Sequence, residues 1–506
     1  MRTGATKLVL IKNAFANLVR GGASALIAIA LPPFLTRSME PAAFGAWALV
    51  LQLAAYVSFL DFGIQTAVGR YVAHSSERND KIQRDRIVNT ALFALGLSAV
   101  LALVGTLILV FFLPNIFRQV PGHLLQQVRI AVILVAGSLA VGLPASVFTG
   151  IFLGMQRNAI PAMIIGITKI VSAVLIIVVA WHQGTLVQMG FVVCLLNLLS
   201  YLALYLTCTR TWPDITFSRK NITPSTIKEL AEYCFSLSIW AIGLLFVTGM
   251  DLSIVGYYRF NEVAYYSLAA TIVTFLGGFY NAIISPMMPA TAVLHARGDH
   301  DALSSMVTVA TRYGVALLLA TGFPLMLGMH LILRFWVGFN YAAHTVQIAT
   351  LLIAANIIRL SITPYVVAMI GSGEQRLVVL TPLLEGISNL IFSLIAGYYL
   401  GAVGVALGTL FGAIVGLISM LLYNIPRTSI RLNASDYFKN SLFRPCLSTI
   451  PLLALLALSR MSNLDKSVDN TLRVLVLFIC LALLWQFGFT SLERRQLTSK
   501  LMRHPS

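Results

Sequence analysis

Seven ionisable side chains lie inside long apolar runs of this chain: Arg20, Asp61, Lys169, Asp251, Arg312, Arg359 and Glu385. A charge at the middle of a membrane helix costs about 2.5–3.5 kcal/mol or more, so each should face a bundle interior or a wet cavity. Arg20 and Asp61 fall in the same half of adjacent runs and suit an ion pair that closes one side. Arg312 is about two turns from a surface, close enough to snorkel. Asp251 is near the end of its run, where helix-end hydrogen bonding and an ion site are both open readings. Lys169, Arg359 and Glu385 are nearest mid-depth. Glu385 can neutralise Arg359, and the lysine ammonium together with the guanidinium fork then suits a phosphate. The competing reading is one ion-pair network.

Other chemistry is missing from the pattern. Asp61-Phe62-Gly63 spells the kinase triplet, but without a Gly-rich loop, a Lys strand or an HRD sequence. Cys194, Cys208, Cys234, Cys446 and Cys480 form no CxxC pair, and the eight His form no HExxH, so neither a disulfide framework nor a metal is expected. No cofactor and no catalytic residue are expected, and the chain is read as a non-enzyme. Asn221-Ile222-Thr223 and Asn433-Ala434-Ser435 match the glycosylation pattern but fall in loops assigned to the cytoplasm.

The elements that would carry these charges are membrane helices. Of 506 residues, 58% are hydrophobic and only 10% charged, against roughly a quarter charged in an ordinary soluble domain. With a mean hydropathy of +0.86, this excludes a soluble enzyme, a disordered regulator and a secreted disulfide scaffold. A span needs roughly 20 apolar residues. Runs of that length predict helices near 14–35, 43–66, 88–113, 130–153, 160–181, 186–208 and 234–256. The series continues near 263–292, 305–336, 345–370, 378–398, 402–423, 442–459 and 472–490. The expected fold is all-α, with about fourteen transmembrane helices.

Charge chooses the side. The net charge is +17, and 23 Lys and Arg fall in one set of loops and flanks against 8 in the other. That asymmetry predicts both termini in the cytoplasm. It also explains the pI of 9.9 by topology, without a nucleic-acid partner. Trp181 and Trp336 close helices at the outer interface and Trp212 at the inner. Ala28-Ile29-Ala30 resembles a signal-peptidase site, but Arg20 leaves too short an apolar stretch before it, so the first helix is expected to be retained. No outer loop exceeds about 14 residues, too short for the large external loop of a glycan polymerase or ligase.

Self-comparison adds an internal repeat. Gly154-Met155-Gln156-Arg157 returns as Gly373-Glu374-Gln375-Arg376, at an offset of 219. Met39-Glu40-Pro41-Ala42-Ala43-Phe44-Gly45 resembles Phe260-Asn261-Glu262-Val263-Ala264-Tyr265-Tyr266 at 221, and Gly190 precedes Gly408 by 218. The register predicts two six-helix lobes of the same orientation, 1–220 and 221–425, followed by a helical hairpin and tail over 426–506. Parallel repeats of this kind place a substrate between lobes at mid-membrane.

Three stretches carry a family likeness: Leu31-Pro32-Pro33-Phe34-Leu35-Thr36-Arg37, Pro41-Ala42-Ala43-Phe44-Gly45-Ala46-Trp47, and Leu60-Asp61-Phe62-Gly63-Ile64-Gln65-Thr66-Ala67-Val68-Gly69-Arg70-Tyr71-Val72. With the Gly-x-Gln-Arg turns, they resemble the polysaccharide-transport branch of the multidrug/oligosaccharidyl-lipid/polysaccharide exporter superfamily. This branch comprises the O-antigen-type oligosaccharide flippases, and the likeness covers most of residues 10–425. It implies a multi-pass inner-membrane flippase that moves undecaprenyl-pyrophosphate-linked oligosaccharide for surface polysaccharide biosynthesis by alternating access. The family's cationic cavity maps onto Arg20, Lys169, Arg312 and Arg359, with Asp61, Asp251 and Glu385 left for ion pairing or coupling. The implied partners are the lipid-linked glycan, the bilayer, and a polysaccharide polymerase or co-polymerase. Fourteen spans also resemble the lipid II flippases, whose last two helices form a lipid groove that 442–490 can supply. The multidrug exporters of the superfamily usually have twelve spans and acidic sites.

Overall fold

The structure, a computed structural model, describes residues 27–461, 466–491 and 493–495. Every regular element among them is helical. The chain divides at Ser267/Leu268 into two compact units.

In the first unit, α1 (Pro41–Ala55) opens with a proline at its start, where the missing N–H costs nothing. A 3-10 segment, Tyr56–Asp61, leads into α2 (Ile64–Glu77). Next come α3 (Lys81–Ile116), α4 (Gly122–Gly154), α5 (Ala159–Trp181) and α6 (Leu186–Thr211). Asp80 caps α3 by accepting from the Gln83 N–H at 2.9 Å. Thr185 and Gln188 form a reciprocal capping box at α6. α7 (Pro224–Leu244) runs through a π turn, Leu245–Gly249, into α8 (Asp251–Tyr258). α9 (Val263–Ile284) crosses into the second unit.

The second unit holds α10 (Met287–Ala296), α11 (His300–Val337), α12 (Phe339–Ser361) and α13 (Thr363–Gly371). It continues with α14 (Leu380–Leu400), α15 (Ala402–Ser419), α16 (Ile450–Met461) and α17 (Lys466–Phe487). α14 and α15 form a hairpin around Gly401, whose φ of 61° and ψ of −136° favour a residue without Cβ. Along α15, Gly404, Gly408, Gly412 and Gly416 recur every fourth residue. They face Gly397, Ser393, Asn389 and Glu385 of α14, which recur every fourth residue in the opposite direction. A Cβ on Gly412 would lie 2.7 Å from Asn389 Cβ, and one on Gly416 2.6 Å from Glu385 Oε2. The glycines thus let two backbones approach closely enough to bury a polar stripe, a seam typical of membrane helices.

Ten helical stretches are long and apolar enough to span a membrane, and the pair Ala241–Val247 and Asp251–Tyr258, bent by 41°, makes an eleventh. The expected count of fourteen is not reached among the described residues. The run 14–35 lies mostly outside them. The run 442–459 begins as the short segments Phe438–Phe443, Arg444–Cys446 and Leu447–Thr449 before α16, with Pro445 opening one of them. The last run is the shorter apolar helix Thr471–Phe487.

The two Gly-x-Gln-Arg stretches both end helices with a left-handed residue. After α4, the Arg157 N–H reaches the Phe152 carbonyl at 2.8 Å, around Gln156 at φ 57°. After α13, the Glu374 N–H reaches the Met369 carbonyl at 3.0 Å, around Gly373 at φ 74°. The equivalent turn positions are therefore Gln156 and Gly373, two residues off the register that matched Gln156 to Gln375.

Candidate functional site

Asp61 ends the 3-10 segment inside the span Pro41–Glu77. Phe62 and Gly63 follow at φ 50° and 75°, both left-handed, so the helix breaks within this span. Such a conformation is strained for Phe and must be held by its surroundings. The Asp61 carboxylate accepts from Ser146 Oγ of α4 at 3.1 Å and from the backbone N–H groups of Gly63 and Gln65. It therefore satisfies the donors that the break exposes. Beside it an apolar cavity of about 380 Å³ opens between Phe59, Phe62, Leu101 and Ala241. Arg20, its expected partner, lies outside the described residues.

Asp251 begins α8, at the bend after the π turn, and is buried. The Tyr266 hydroxyl donates to its Oδ2 at 2.9 Å. Gln52 Nε2 donates to the Gly249 carbonyl at 2.5 Å, and the Tyr56 and Ser253 hydroxyls are 2.6 Å apart. The bend is thus fastened to α1 and to the 3-10 segment by side chains that take up backbone groups freed by the irregular turn.

Lys169 is at the centre of α5, ten residues from its start. It falls in the 3/4 spacing of that helix's buried residues Ala162, Gly166, Ala173, Ile176 and Ala180. Lys169 is nonetheless exposed, and a Cβ on Gly166 would meet nothing within 4 Å. The inward-patterned face of α5 therefore opens halfway along the helix, where the lysine stands.

In the second unit, Arg359 lies one turn before the α12–α13 break, where Pro364 removes a backbone donor. Its Nε donates to Glu385 Oε1 at 2.6 Å, and the side chains are 16% and 10% exposed. Arg359 Nη2 is buried without an acceptor among the described residues. A guanidinium with one edge on a carboxylate and a buried N–H unmatched can accept a further anion.

Arg312 is placed differently from its snorkelling expectation. Its Nη1 donates to both carboxylate oxygens of Glu493, each at 2.9 Å. Thr490 and Glu493 also exchange backbone and side-chain hydrogen bonds, capping the segment after α17. Burial alone raises the Glu493 carboxyl, but bonds from Thr490 and Arg312 outweigh it and leave the group below the ordinary Glu range. Arg312 thus fastens the C-terminal segment, and it lines a cavity of about 270 Å³ with Asn433, Asp436, Asn440 and Arg444.

One charge cluster was missed by sequence reasoning. Buried Arg84 bonds Asp85 at 2.9 Å and Asp214 at 3.0 Å, and Lys81 is 3.3 Å from Asp214. Asp85 accepts from the Thr216 hydroxyl at 2.6 Å, while Asn89 Oδ1 accepts from the Ser218 N–H at 2.8 Å. Hydrogen bonding from Arg84 holds the Asp214 carboxyl below the usual range. The cluster clamps the loop after α6 onto the start of α3. Its partners lie about 130 residues apart in sequence, so no local spacing betrays them.

Residues 10–295 match the model of the family described as polysaccharide biosynthesis protein. The chain belongs to this family. As a member of the polysaccharide biosynthesis family, it is also similar to the uncharacterized membrane protein EpsK of Bacillus subtilis (strain 168). The two are 23% identical over 452 residues, covering 85% of this chain and 84% of EpsK. Among solved structures, its fold resembles the lipid II flippase MurJ in an inward closed conformation. That match has a TM-score of 0.67 and 14% identity, over 97% of this chain and 99% of MurJ. It also resembles an inward-facing multidrug resistance MATE family transporter of the MOP superfamily, at TM-score 0.61 and 14% identity, over 85% and 96% of the two chains. Family and fold together make it an all-α, multi-pass membrane protein of the polysaccharide biosynthesis family, with a fold like that of the MurJ and MATE structures.

Proposed function

We propose that this protein is a flippase that carries undecaprenyl-pyrophosphate-linked oligosaccharide across the cytoplasmic membrane by alternating access of two lobes, 1–220 and 221–425. The observation that carries this reading is Arg359, whose guanidinium rests on Glu385 with a buried N–H left unmatched. Lys169, halfway along α5 on a helix face that opens around it, is proposed as a second cation. These two side chains hold the pyrophosphate. Arg20 is proposed as a further cation on the path. Asp61 and Asp251 are proposed to hold the helix breaks in their own unit, with Glu385 tuning Arg359. With the cytoplasm negative, outward passage of each substrate charge is favoured by about 2.3 kcal/mol per 100 mV, so potential alone can drive net movement.

The resemblance to MurJ favours lipid II as the second reading, because the match extends through the C-terminal helices. The test is accumulation of lipid-linked sugar on the cytoplasmic leaflet of a deletion strain carrying each variant. Arg359→Ala and Lys169→Ala are expected to lower flipping about tenfold or more, the worth of a charge-assisted hydrogen bond. Arg359→Lys keeps the charge but loses the fork, and is expected to restore part of it. Glu385→Gln should retain partial activity; complete loss would instead indicate an acidic cation site of the multidrug-exporter kind. Accumulation of peptidoglycan precursor alone would select the lipid II reading.

A further inference from the structure

α3 has no ionisable residue between Arg86 and Arg118, so the headgroup level lies near its first turns. Asn89 is three residues beyond Arg86, less than one turn into the apolar run. There it holds the loop that joins α6 to α7. Its Oδ1 accepts from the Ser218 N–H at 2.8 Å, and its Nδ2 donates to the Thr216 carbonyl at 2.8 Å. Between those two residues, the Phe217 ring meets Phe148 of α4 and Tyr205 of α6. Arg219 and Lys220 are therefore presented on a fixed backbone at headgroup depth, and both are exposed.

A groove of about 440 Å³ lies between this loop and α3. Phe93, Leu97 and Val100 line it from the helix, each more than half exposed, and Val104 continues the stripe at helical spacing. Gly96 leaves a notch among them, since a Cβ there would meet nothing within 4 Å. Ser218 and Arg219 line it from the loop, and no lining residue is acidic. The charge of Arg219 is not neutralised within its own unit. All ten Asp and Glu of residues 1–267 lie among the described residues, and none pairs with Arg219 or Lys220. Asp85 and Asp214, the carboxylates of α3 and this loop, take Arg84, Lys81 and Thr216 instead.

We propose that this groove binds an anionic phospholipid, with the phosphate on Arg219 and the Ser218 hydroxyl and one acyl chain along Phe93, Leu97 and Val100. The planar guanidinium fork matches phosphate oxygens, and Lys220 adds a second charge beside it. Two adjacent cations, with no carboxylate to meet a choline or ethanolamine group, select a lipid of net negative charge. The apolar stripe leading from them into the hydrocarbon selects acyl chains over a free anion. The site shares no residue with the substrate path proposed above.

The test titrates phosphatidylglycerol into the full-length protein in neutral detergent and reads occupancy by native mass spectrometry. Arg219→Ala should raise the half-saturating lipid concentration about fivefold, and Arg219→Ala/Lys220→Ala about thirtyfold, the effects of one and two cations at a membrane surface. Neither side chain bonds another described residue, so both variants should fold. Gly96→Leu fills the notch at unchanged charge and should also weaken binding; unchanged affinity there would refute the groove. Equal half-saturation for the wild type and the double variant would overturn the proposal, as would equal uptake of phosphatidylcholine by the wild type. Displacement by millimolar inorganic phosphate would make the site one for free phosphate and overturn it too. A photoactivatable phosphatidylglycerol gives a readout that needs no variant. Crosslinks on peptides from α3 and residues 212–223 are expected, and crosslinks found only elsewhere would refute the site. None of these readouts depends on transport, so their failure is distinct from a failure of the flippase reading.

Discussion

Arg312 and Arg359 show how a buried arginine takes its meaning from its partner. Both were legible in the sequence as charges inside apolar runs, and Glu385 was legible as the neutraliser of Arg359. Glu493 was not, because it is 181 residues from Arg312 and sits among the basic residues of the tail. The pair has a pH signature. The folded pKa of Glu493 is depressed, so its contribution is present above the unfolded value of about 4.3 and is lost as pH falls through the folded pKa. Asp214 follows the same sign. Hydrogen exchange of residues 488–491 and 213–218 should therefore be protected at pH 7 and rise together below about pH 4. Protection unchanged down to pH 2 would show that neither carboxylate holds its segment. The buried Arg84–Asp85–Asp214 cluster was invisible for the same reason as Glu493: spacing reveals neighbours on one helix, not partners folded in from a distant loop.

At the scale of elements, apolar run length located the helices well and their irregularities poorly. The span over 43–66 was expected as one helix, yet Phe62 and Gly63 break it, because the Asp61 carboxylate can cap the exposed donors. Sequence periodicity has no signal for that. The α14–α15 seam was readable only in retrospect, as two four-residue repeats running in opposite directions. It makes a direct prediction. Gly412→Ala forces a methyl to 2.7 Å from Asn389 Cβ and should cost about 1–3 kcal/mol, read as a lower thermal midpoint in detergent. Gly105→Ala, where a Cβ meets nothing within 4 Å, should leave the midpoint unchanged or slightly raise it. Equal midpoints for the two variants would mean the seam is looser than its geometry.

For the whole molecule, the all-α membrane fold and the family followed from composition and from motifs in the first third of the chain. The count of fourteen spans is not reached among the described residues, where the stretch 442–459 changes helix type around Pro445 before α16. The charge asymmetry predicts that both termini face the cytoplasm. A reporter active only in the periplasm should be silent when fused after Ser506 and active within 114–129, and the reverse pattern would overturn the topology. The central claim is transport of a lipid-linked, negatively charged glycan through a cationic path. It is tested most directly in proteoliposomes holding a polyprenyl-pyrophosphate-linked saccharide, by following the head group's exposure to an external glycan-modifying enzyme. The account predicts movement above protein-free vesicles, faster when the destination side is made positive, and reduced about tenfold or more in Arg359→Ala. Movement no faster than in protein-free vesicles, or equal rates for the wild type and Arg359→Ala, would contradict it.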